Sequence, residues 1–581
     1  MTTTSAPTAQ PEVSDAERMP PVADRTPRWL RTTPAFPLLL LPLGIVLVAL
    51  ASRPLWHTDL WGHLAYGRLI VETQSIPATE PLMPLSRGVE FIDTAWLSQA
   101  IGFLTIERFG LPGLQFLAAA CLTLAAGIVA WLGYRKTGSI AFTLLGLAAL
   151  AWLNWKQLFN GVDHSLLIRP QLAGLVAFTI TLAVCVGKPS RWHWVVIPLT
   201  FAAWANLHGS FLAGLALLVT FVLGRAGDLL RRTDKFAAIV RSWPFWRAVL
   251  LAELAAVAVL INPYGLRLFA DVWLFAANPN LDSIVEWQPL TLRMTQGQAA
   301  AGVALLLLFL YRMTPRRIST AEVLSLLLFG GLTLWTSRMI VWFAPVAAYC
   351  VTVHGAAVWR SFQVRSRRSE AGGQKSEDAA AVATEAPTSD LRPPTSGGTP
   401  RVLWTVVAIG LVWVCVALTP FAQRLAYGPR PNEDRAVSLQ TPTLAAEHLA
   451  ELPPTGLVFN TYELGDYLLW SNPGLPVFVA GHVHLVPADV WRDYTNTIRG
   501  GSGWQAVLDR YGVDTIVLDL PARQELADEL FDSPEWVPSY RDRNSVVFRR
   551  AGGQESTIEK REPTNEILPA ASDETERNRR P

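Results

Sequence analysis

Eleven apolar blocks constrain what this chain can fold into. They lie near 35–52, 113–134, 139–157, 171–187, 192–207, 210–224, 246–262, 298–311, 320–336, 338–358 and 402–420. Each runs for roughly 15 to 20 residues, about the length a helix needs to cross a bilayer. The pattern predicts an α-helical polytopic membrane protein with about eleven spans. Composition agrees, with 51% hydrophobic and only 17% charged residues, where soluble domains carry about 25% charged. Several of the 23 tryptophans stand near block ends, as interfacial anchors do. A net charge of +2 is too small to imply a nucleic-acid partner. Cys121, Cys185, Cys350 and Cys415 all sit inside apolar blocks and read as small core residues, not disulfides or metal ligands.

The loops fix an orientation. With the N-terminus inside and the blocks alternating, the inside loops collect Arg135 and Lys136, then Lys188 and Arg191. The next inside loop holds Arg225, Arg231, Arg232, Lys235, Arg241 and Arg247. Two more hold Arg312, Arg316 and Arg317, and Arg360, Arg365, Arg367 and Arg368. The outside loops are sparse in Lys and Arg, as the positive-inside rule requires. The first block carries "ALAS" at 49–52, which looks like a cleavage site, but about 34 polar residues precede it, too many for a usual signal peptide. An uncleaved anchor is favoured, and residue 57 lies outside either way.

The outside then receives the stretch 53–112, "NWKQLFNGVDHSLLIRPQ" (154–171), "NLHGS" (206–210), the segment 261–289 and "TSR" (336–338). Nearly all the unusual polar residues of the apolar region gather at that face. Clustering at one end of the spans is expected of a site built from several loops.

Other segments bracket this region. Residues 1–34 and 552–581 are polar tails, and 359–401 is a linker by composition. Residues 35–358 form the transmembrane domain, with a large first outer loop at 53–112, and 402–420 returns the chain to the outside. Residues 424–551 read as an extracytoplasmic α/β domain. There "GLVFN", "PVFVA" and "DTIVLDL" look like strands, "YELGDYLLW" and "GWQAVLDRYGV" like helices, and "WVPSY" and "SVVFRR" like a hairpin across "RDRN".

The chemistry-bearing residues start with "HTDLWGHLAYGRLI" (57–70). Asp59 and His63 are four apart and share a face on a helix. A carboxylate there can act as a general base or hold a divalent cation. The plainer alternative is a solvated helix edge. Asp93 in "FIDTAWLSQ" is a second acid, though loop aspartates usually cap helices. "VDHSLLIRPQ" adds Asp163, His164 and Arg169; the arginine can snorkel or can hold a lipid phosphate. His208 stands in a tight turn and Glu286 precedes Trp287. Arg338 sits between two apolar blocks that almost touch, so it needs a carboxylate or an anionic ligand. Glu253, inside a block, reads as structural. His482 and His484 alternate as on a strand, a weak zinc signal without further ligands. No Walker loop, dinucleotide fingerprint or Gly-x-Ser-x-Gly elbow is present.

"HTDLWGHLAYGRLIVETQSIPATEPLMP" resembles the first outer loop of bacterial membrane proteins related to the GT-C glycosyltransferases. "TAWLSQ", "IRPQL", "NLHG", "INPYG", "VEWQP" and "SRMIVWF" resemble later blocks of that group, in order. "VFNTYELGDYLLW" and "GWQAVLDRYGVDTIVL" resemble its C-terminal outer domain. The wider class includes oligosaccharyltransferases and protein O-mannosyltransferases. The resemblance implies sugar transfer from a polyprenyl-phosphate carrier to a glycan, protein or lipid acceptor at the outer face of a bacterial cytoplasmic membrane. It implies that Asp59 is the base or a ligand of Mg or Mn, and that Arg169 or Arg338 steadies the lipid phosphate. Two departures remove charge: Ala95 stands where Glu is expected before Trp96, and Ala480–Gly481–His482 replaces an acidic-Gly-Arg turn. The competing readings are a non-catalytic envelope polysaccharide assembly protein and a lipid flippase or transporter, the latter disfavoured by the scarcity of midplane charges.

Overall fold

The computed structural model of the chain describes residues 32–159, 161, 163–370, 401–429 and 436–552. Most of the expected polar tails (1–34, 552–581) and linker (359–401) lies outside the described residues. The apolar region folds into thirteen consecutive helices: α1 Ala35–Ala51, α2 Leu60–Thr73, α3 Trp96–Thr137, α4 Ile140–Leu158, α5 Gln171–Val186, α6 His193–Leu207, α7 Phe211–Thr233, the short α8 Phe236–Val240, α9 Trp243–Val259, α10 Arg267–Ala276, α11 Thr295–Met313, α12 Thr320–Trp335 and α13 Ile340–Glu370. A further helix, Arg401–Ala417, runs along α1 and meets Pro420–Tyr427 at a bend of 76°.

Each of the eleven apolar blocks coincides with a helix, but the count of eleven spans is corrected. Among the described residues three helices are long and apolar enough to cross a membrane: Trp96–Thr137, Phe211–Thr233 and Ser337–Ser366. A fourth is added if the bent pair at Val402–Tyr427 is one span. The helices α1, α5 and α12 are apolar but have only 17, 16 and 16 residues. At 1.5 Å per residue they reach about 24–26 Å, short of the ~30 Å hydrocarbon core. Apolarity was legible block by block; length was not, because polar residues and turns cut the blocks short.

Helix α13 forms the centre of the bundle. Its Ala344, Ala347, Ala348, Cys350 and Val351 are fully buried, and it packs along α4. The close approach needs a glycine: a Cβ on Gly146 would stand 2.0 Å from the Thr352 hydroxyl. Helix α3 begins at Trp96, inside the stretch 53–112 expected as a loop, and breaks at Gly110 (φ 64, ψ −167), two residues before Pro112.

The C-terminal domain, residues 436–552, carries a four-stranded sheet in the order β1-β2-β4-β3, with β1 Leu457–Asn460, β2 Val513–Asp519, β3 Trp536–Arg541 and β4 Ser545–Arg550. The β1–β2 pair is parallel and the other two are antiparallel. The hairpin closes where Asp542 accepts from the Asn544 and Ser545 amides. "PVFVA" does not form the expected strand. It makes a single bridge, Val458 to Val477, and the Asn460 side chain then takes over the ladder, accepting from Phe478 N–H and donating to Val479 C=O.

This domain docks on the helical part through specific contacts. Leu55 bonds Ala436 and Ser438 backbone to backbone. Asn280 donates to the Val483 and Val486 carbonyls. The helix Tyr462–Ser471 lies against α2, with Trp61 edge-on to Tyr467 and the Arg68 guanidinium 4.0 Å from the Trp470 ring.

Candidate functional site

Helix α2 carries the first site residues. Leu60, Trp61, Leu64, Ala65, Tyr66 and Ile70 are buried, because α3 covers one side and the C-terminal domain another. The edge bearing Asp59 and His63 is only partly buried. Asp59 stands just before the helix with φ 61 and ψ −49, a region that costs a non-glycine residue about 1–3 kcal/mol. Its carbonyl accepts from the His63 amide at 3.1 Å.

Three further charges meet beside it. Arg169, on the turn before α5, donates Nε to Asp59 Oδ2 at 2.5 Å and both terminal nitrogens to Glu286, at 2.8 and 2.7 Å. Arg338, on the turn between α12 and α13, lies 4.0 Å from Glu286 and 5.4 Å from the Trp287 ring centroid. These residues come from the start of α2, the start of α5, the turns after α10 and the start of α13, so those helix ends lie at one end of the bundle. Burial raises the Asp59 carboxyl, but Arg169 and Arg338 outweigh it and hold the group below the usual carboxylate range. Burial works against the Arg169 charge, yet Glu286 and Asp59 lock it on. Arg338 stands beside Arg169 and Glu286. Among the described residues its terminal nitrogen comes no closer than 4.0 Å to a carboxylate, well beyond a bidentate pair, so its donors are available to an incoming anion.

A cavity of about 120 Å³ opens here, lined by Asp59, His63, Asp93, Arg169, His208 and Arg338 together with Asp466, His482 and His484. Asp93 is 2% exposed; its Oδ1 accepts from Ala95 N–H and Gln99 Nε2. Burial pushes its carboxyl up to about 7. Gln99 also donates to His63 Nδ1 at 3.2 Å, which leaves the His63 proton on Nε2. Burial lowers His63 to about 4 and His208 to about 3, so both imidazoles are neutral near pH 7. His208 Nδ1 accepts from the Ser210 amide, as a turn histidine would, while its ring lines the cavity.

The structure brings together Asp59, His63, Asp93, Arg169, His208, Glu286 and Arg338. It does not bring in the other two expected residues. Asp163 accepts from Ser438 and from the Ser165 amide, tying the chain before α5 to the C-terminal domain. His164 is exposed, with φ 57, and its ring lies 5.9 Å from Trp155. Proximity in sequence to Arg169 had suggested both, but the backbone runs away from the cavity before Arg169. Among the described residues no group of three or more His, Cys, Asp or Glu is arranged to hold a metal ion. For an Mg or Mn ion, Asp59 offers its other oxygen, since Oδ2 is committed to Arg169.

Asp466 was missed. It lies in "YELGDYLLW", a stretch that reads as a helix, more than 400 residues from Asp59, and nothing local in the sequence links the two. Its Oδ2 accepts from the Asp59 amide at 2.9 Å and its Oδ1 from the Gly481 amide at 2.8 Å. Burial, and next the Asp59 charge, push it up to about 7. The histidines of "AGHVHL" also belong to the cavity: His482 packs on Tyr66 and His63, and His484 on Phe275. Their alternation in sequence suggests only a weak zinc pair.

No known sequence family matches this chain, and no curated protein matches it. Solved structures similar to this chain exist. One is ArnT from Cupriavidus metallidurans bound to undecaprenyl phosphate, with 17% identity over 89% of this chain and 98% of that one, at a TM-score of 0.45. Another is the archaeal oligosaccharyltransferase AglB from Archaeoglobus fulgidus with an inhibitory peptide and a dolichol-phosphate, with 12% identity over 84% and 69%, at 0.49. An oligosaccharyltransferase structure from the same archaeon in complex with Zn and sulfate gives 12% identity over 83% and 68%, at 0.43. At such identities and scores the functional argument rests on the site.

Proposed function

We propose that this protein is a membrane glycosyltransferase that takes a sugar from a polyprenyl-phosphate carrier and passes it to a hydroxyl acceptor. The observation that carries this reading is the Asp59–Arg169–Glu286 ion pair with Arg338 beside it, in a cavity at one end of an apolar helical bundle. A lipid phosphate needs cationic donors at a membrane edge, and guanidinium groups match its oxygens. A weak hydroxyl nucleophile needs a positioned base. Both sit here within one set of bonded side chains.

The proposed chemistry uses these residues in turn. The carrier phosphate docks on Arg338 and competes with Asp59 for Arg169. As Arg169 turns toward phosphate, Asp59 loses its strongest partner and becomes a better base. Asp59 then takes the acceptor proton while the acceptor oxygen attacks the anomeric carbon. The anomeric C–O bond to phosphate breaks, and the polyprenyl phosphate leaves with its charge on the two arginines. Glu286 keeps Arg169 in the cavity throughout. The neutral His63, with its Nε2 proton, donates to a sugar or phosphate oxygen. Asp93 and His208 bind hydroxyls. No step here is routed through a divalent cation.

In this reading the N-terminus lies inside and the cavity outside, at the bacterial cytoplasmic membrane. The acceptor in that setting is an envelope glycan, protein or lipid. Binding of undecaprenyl phosphate to the detergent-solubilised chain tests the reading: saturable binding, weakened in Arg338→Ala, is expected. Equal binding by both proteins would remove the phosphate seat from the account.

A further inference from the structure

Asp59 is held from outside its own loop. Its amide, in a backbone conformation that few non-glycine residues adopt, points at a carboxylate of the C-terminal domain. Asp466 is 2% exposed and spends one oxygen on Asp59 N–H and the other on Gly481 N–H. Space for that carboxylate is made by two glycines. A Cβ on Gly62 would lie 2.5 Å from Asp466 Oδ1, and one on Gly481 would lie 2.4 Å from Oδ2. The carboxylate is therefore gripped from two sides, by the first turn of α2 and by the Gly481 turn.

We propose that Asp466 is a positioning residue that locks Asp59 into its site conformation, so that the site is complete only with the C-terminal domain docked. The functional part of this inference rests on the glycosyltransferase reading above; the lock itself does not. The chemistry demands a carboxylate. Both partners are N–H donors, and a carboxylate presents acceptors on both sides. An asparagine presents one acceptor and one NH₂, so one backbone donor would face another donor. The Asp59 amide has no helical partner, since it precedes α2. Without Asp466 the backbone at Asp59 relaxes and its carboxylate swings off Arg169. The contacts of Trp61, Tyr467, Trp470 and Arg68 beside the lock hold the two domains in register, so losing Asp466 alters aim before it alters fold.

The test uses the full-length protein and three variants, Asp466→Asn, Gly62→Ala and Gly481→Ala, with the exposed Asp528→Asn as a control. Two readouts are taken. Amide hydrogen exchange over residues 57–62 is expected to be slow in the wild type and control, and at least tenfold faster in each of the three variants. Sugar transfer from polyprenyl-phosphate donors is expected to lose at least tenfold in kcat, with KM and undecaprenyl phosphate binding within about threefold of wild type. Gly62→Ala displaces the carboxylate without removing it, so it decides the matter even if Asp466→Asn folds poorly. Unchanged exchange in Gly62→Ala and Gly481→Ala overturns the lock. Faster exchange with unchanged kcat overturns its role in positioning. If the wild type transfers nothing, the glycosyltransferase reading fails, and exchange alone still decides whether Asp466 holds Asp59.

Discussion

Asp59 and Arg338 divide the work at the scale of single residues. Asp59 touches one arginine at 2.5 Å and carries the proposed proton transfer. Asp59→Asn keeps the size and removes the base, so turnover is expected to fall by about 10²–10⁴ while carrier binding stays near wild type. A loss in binding equal to the loss in turnover would assign Asp59 to the phosphate seat instead. Arg338→Ala removes charged hydrogen bonds to phosphate, worth about 1.5–3 kcal/mol, so affinity for undecaprenyl phosphate should fall roughly ten- to hundredfold. Lysine at 338 should recover part of that, because it restores the charge without the two-pronged geometry. These residues were legible in the sequence for a physical reason. Each is a charged or ionisable group next to an apolar block, where an unpaired charge is costly, and each falls on the same side of the alternation. Asp163 and His164 met the same criterion and failed, since nothing in a local pattern says which way a loop turns. Asp466 met no criterion, because a buried aspartate in a helix of a water-facing domain has no such signature.

At the scale of elements, the helices were foreseen and their lengths and breaks were not. The α3 break shows why. The expected apolar block begins only at 113, whereas α3 starts at Trp96 and runs through "RFGLPGLQF", turning at Gly110, whose φ of 64 and ψ of −167 lie in a region nearly closed to side chains. The Arg424 guanidinium crowds the place where a Cβ would go, at 2.8 Å. Gly110→Ala is therefore expected to destabilise the fold by about 1–3 kcal/mol, seen as a lower thermal unfolding midpoint. No change would mean that the break is not fixed by this glycine. The "PVFVA" segment carries the complementary lesson. Its composition is that of a strand, but the Asn460 side chain supplies the bonds that a neighbouring strand would have made.

At the scale of the whole molecule, the cavity belongs to neither part alone. The helical bundle supplies Asp59, His63, Asp93, Arg169, His208 and Arg338; the C-terminal domain supplies Asp466, His482 and His484. This joint burial has a pH consequence. His57 and His63 are held down at about 4, and His208 and His482 at about 3, first of all by burial. The unfolded chain binds protons on these four near 6.5, and the folded chain does not, so their stability is present above pH 6.5 and is lost toward pH 4–3. Asp93 and Asp466, raised to about 7, act in the opposite sense: the folded chain holds their protons, and stability is lost as pH rises from their unfolded values toward 7. Among the most strongly shifted groups the imidazoles, with His484 lowered as well, outnumber the two carboxyls, which gives net destabilisation by acid. The unfolding midpoint should fall between pH 7 and pH 5, and a rise over that interval would contradict the burial of these imidazoles.

The central claim is that the cavity around Asp59, Arg169 and Arg338 transfers sugar from a lipid phosphate. Its most direct test incubates the purified full-length protein with a panel of radiolabelled polyprenyl-phosphate sugars and a membrane-fraction acceptor, with Asp59→Asn in parallel. The account predicts label transferred by the wild type with one member of the panel and at least a hundredfold less by the variant. Absence of both transfer and carrier binding across the panel, or equal transfer by the two proteins, would contradict it.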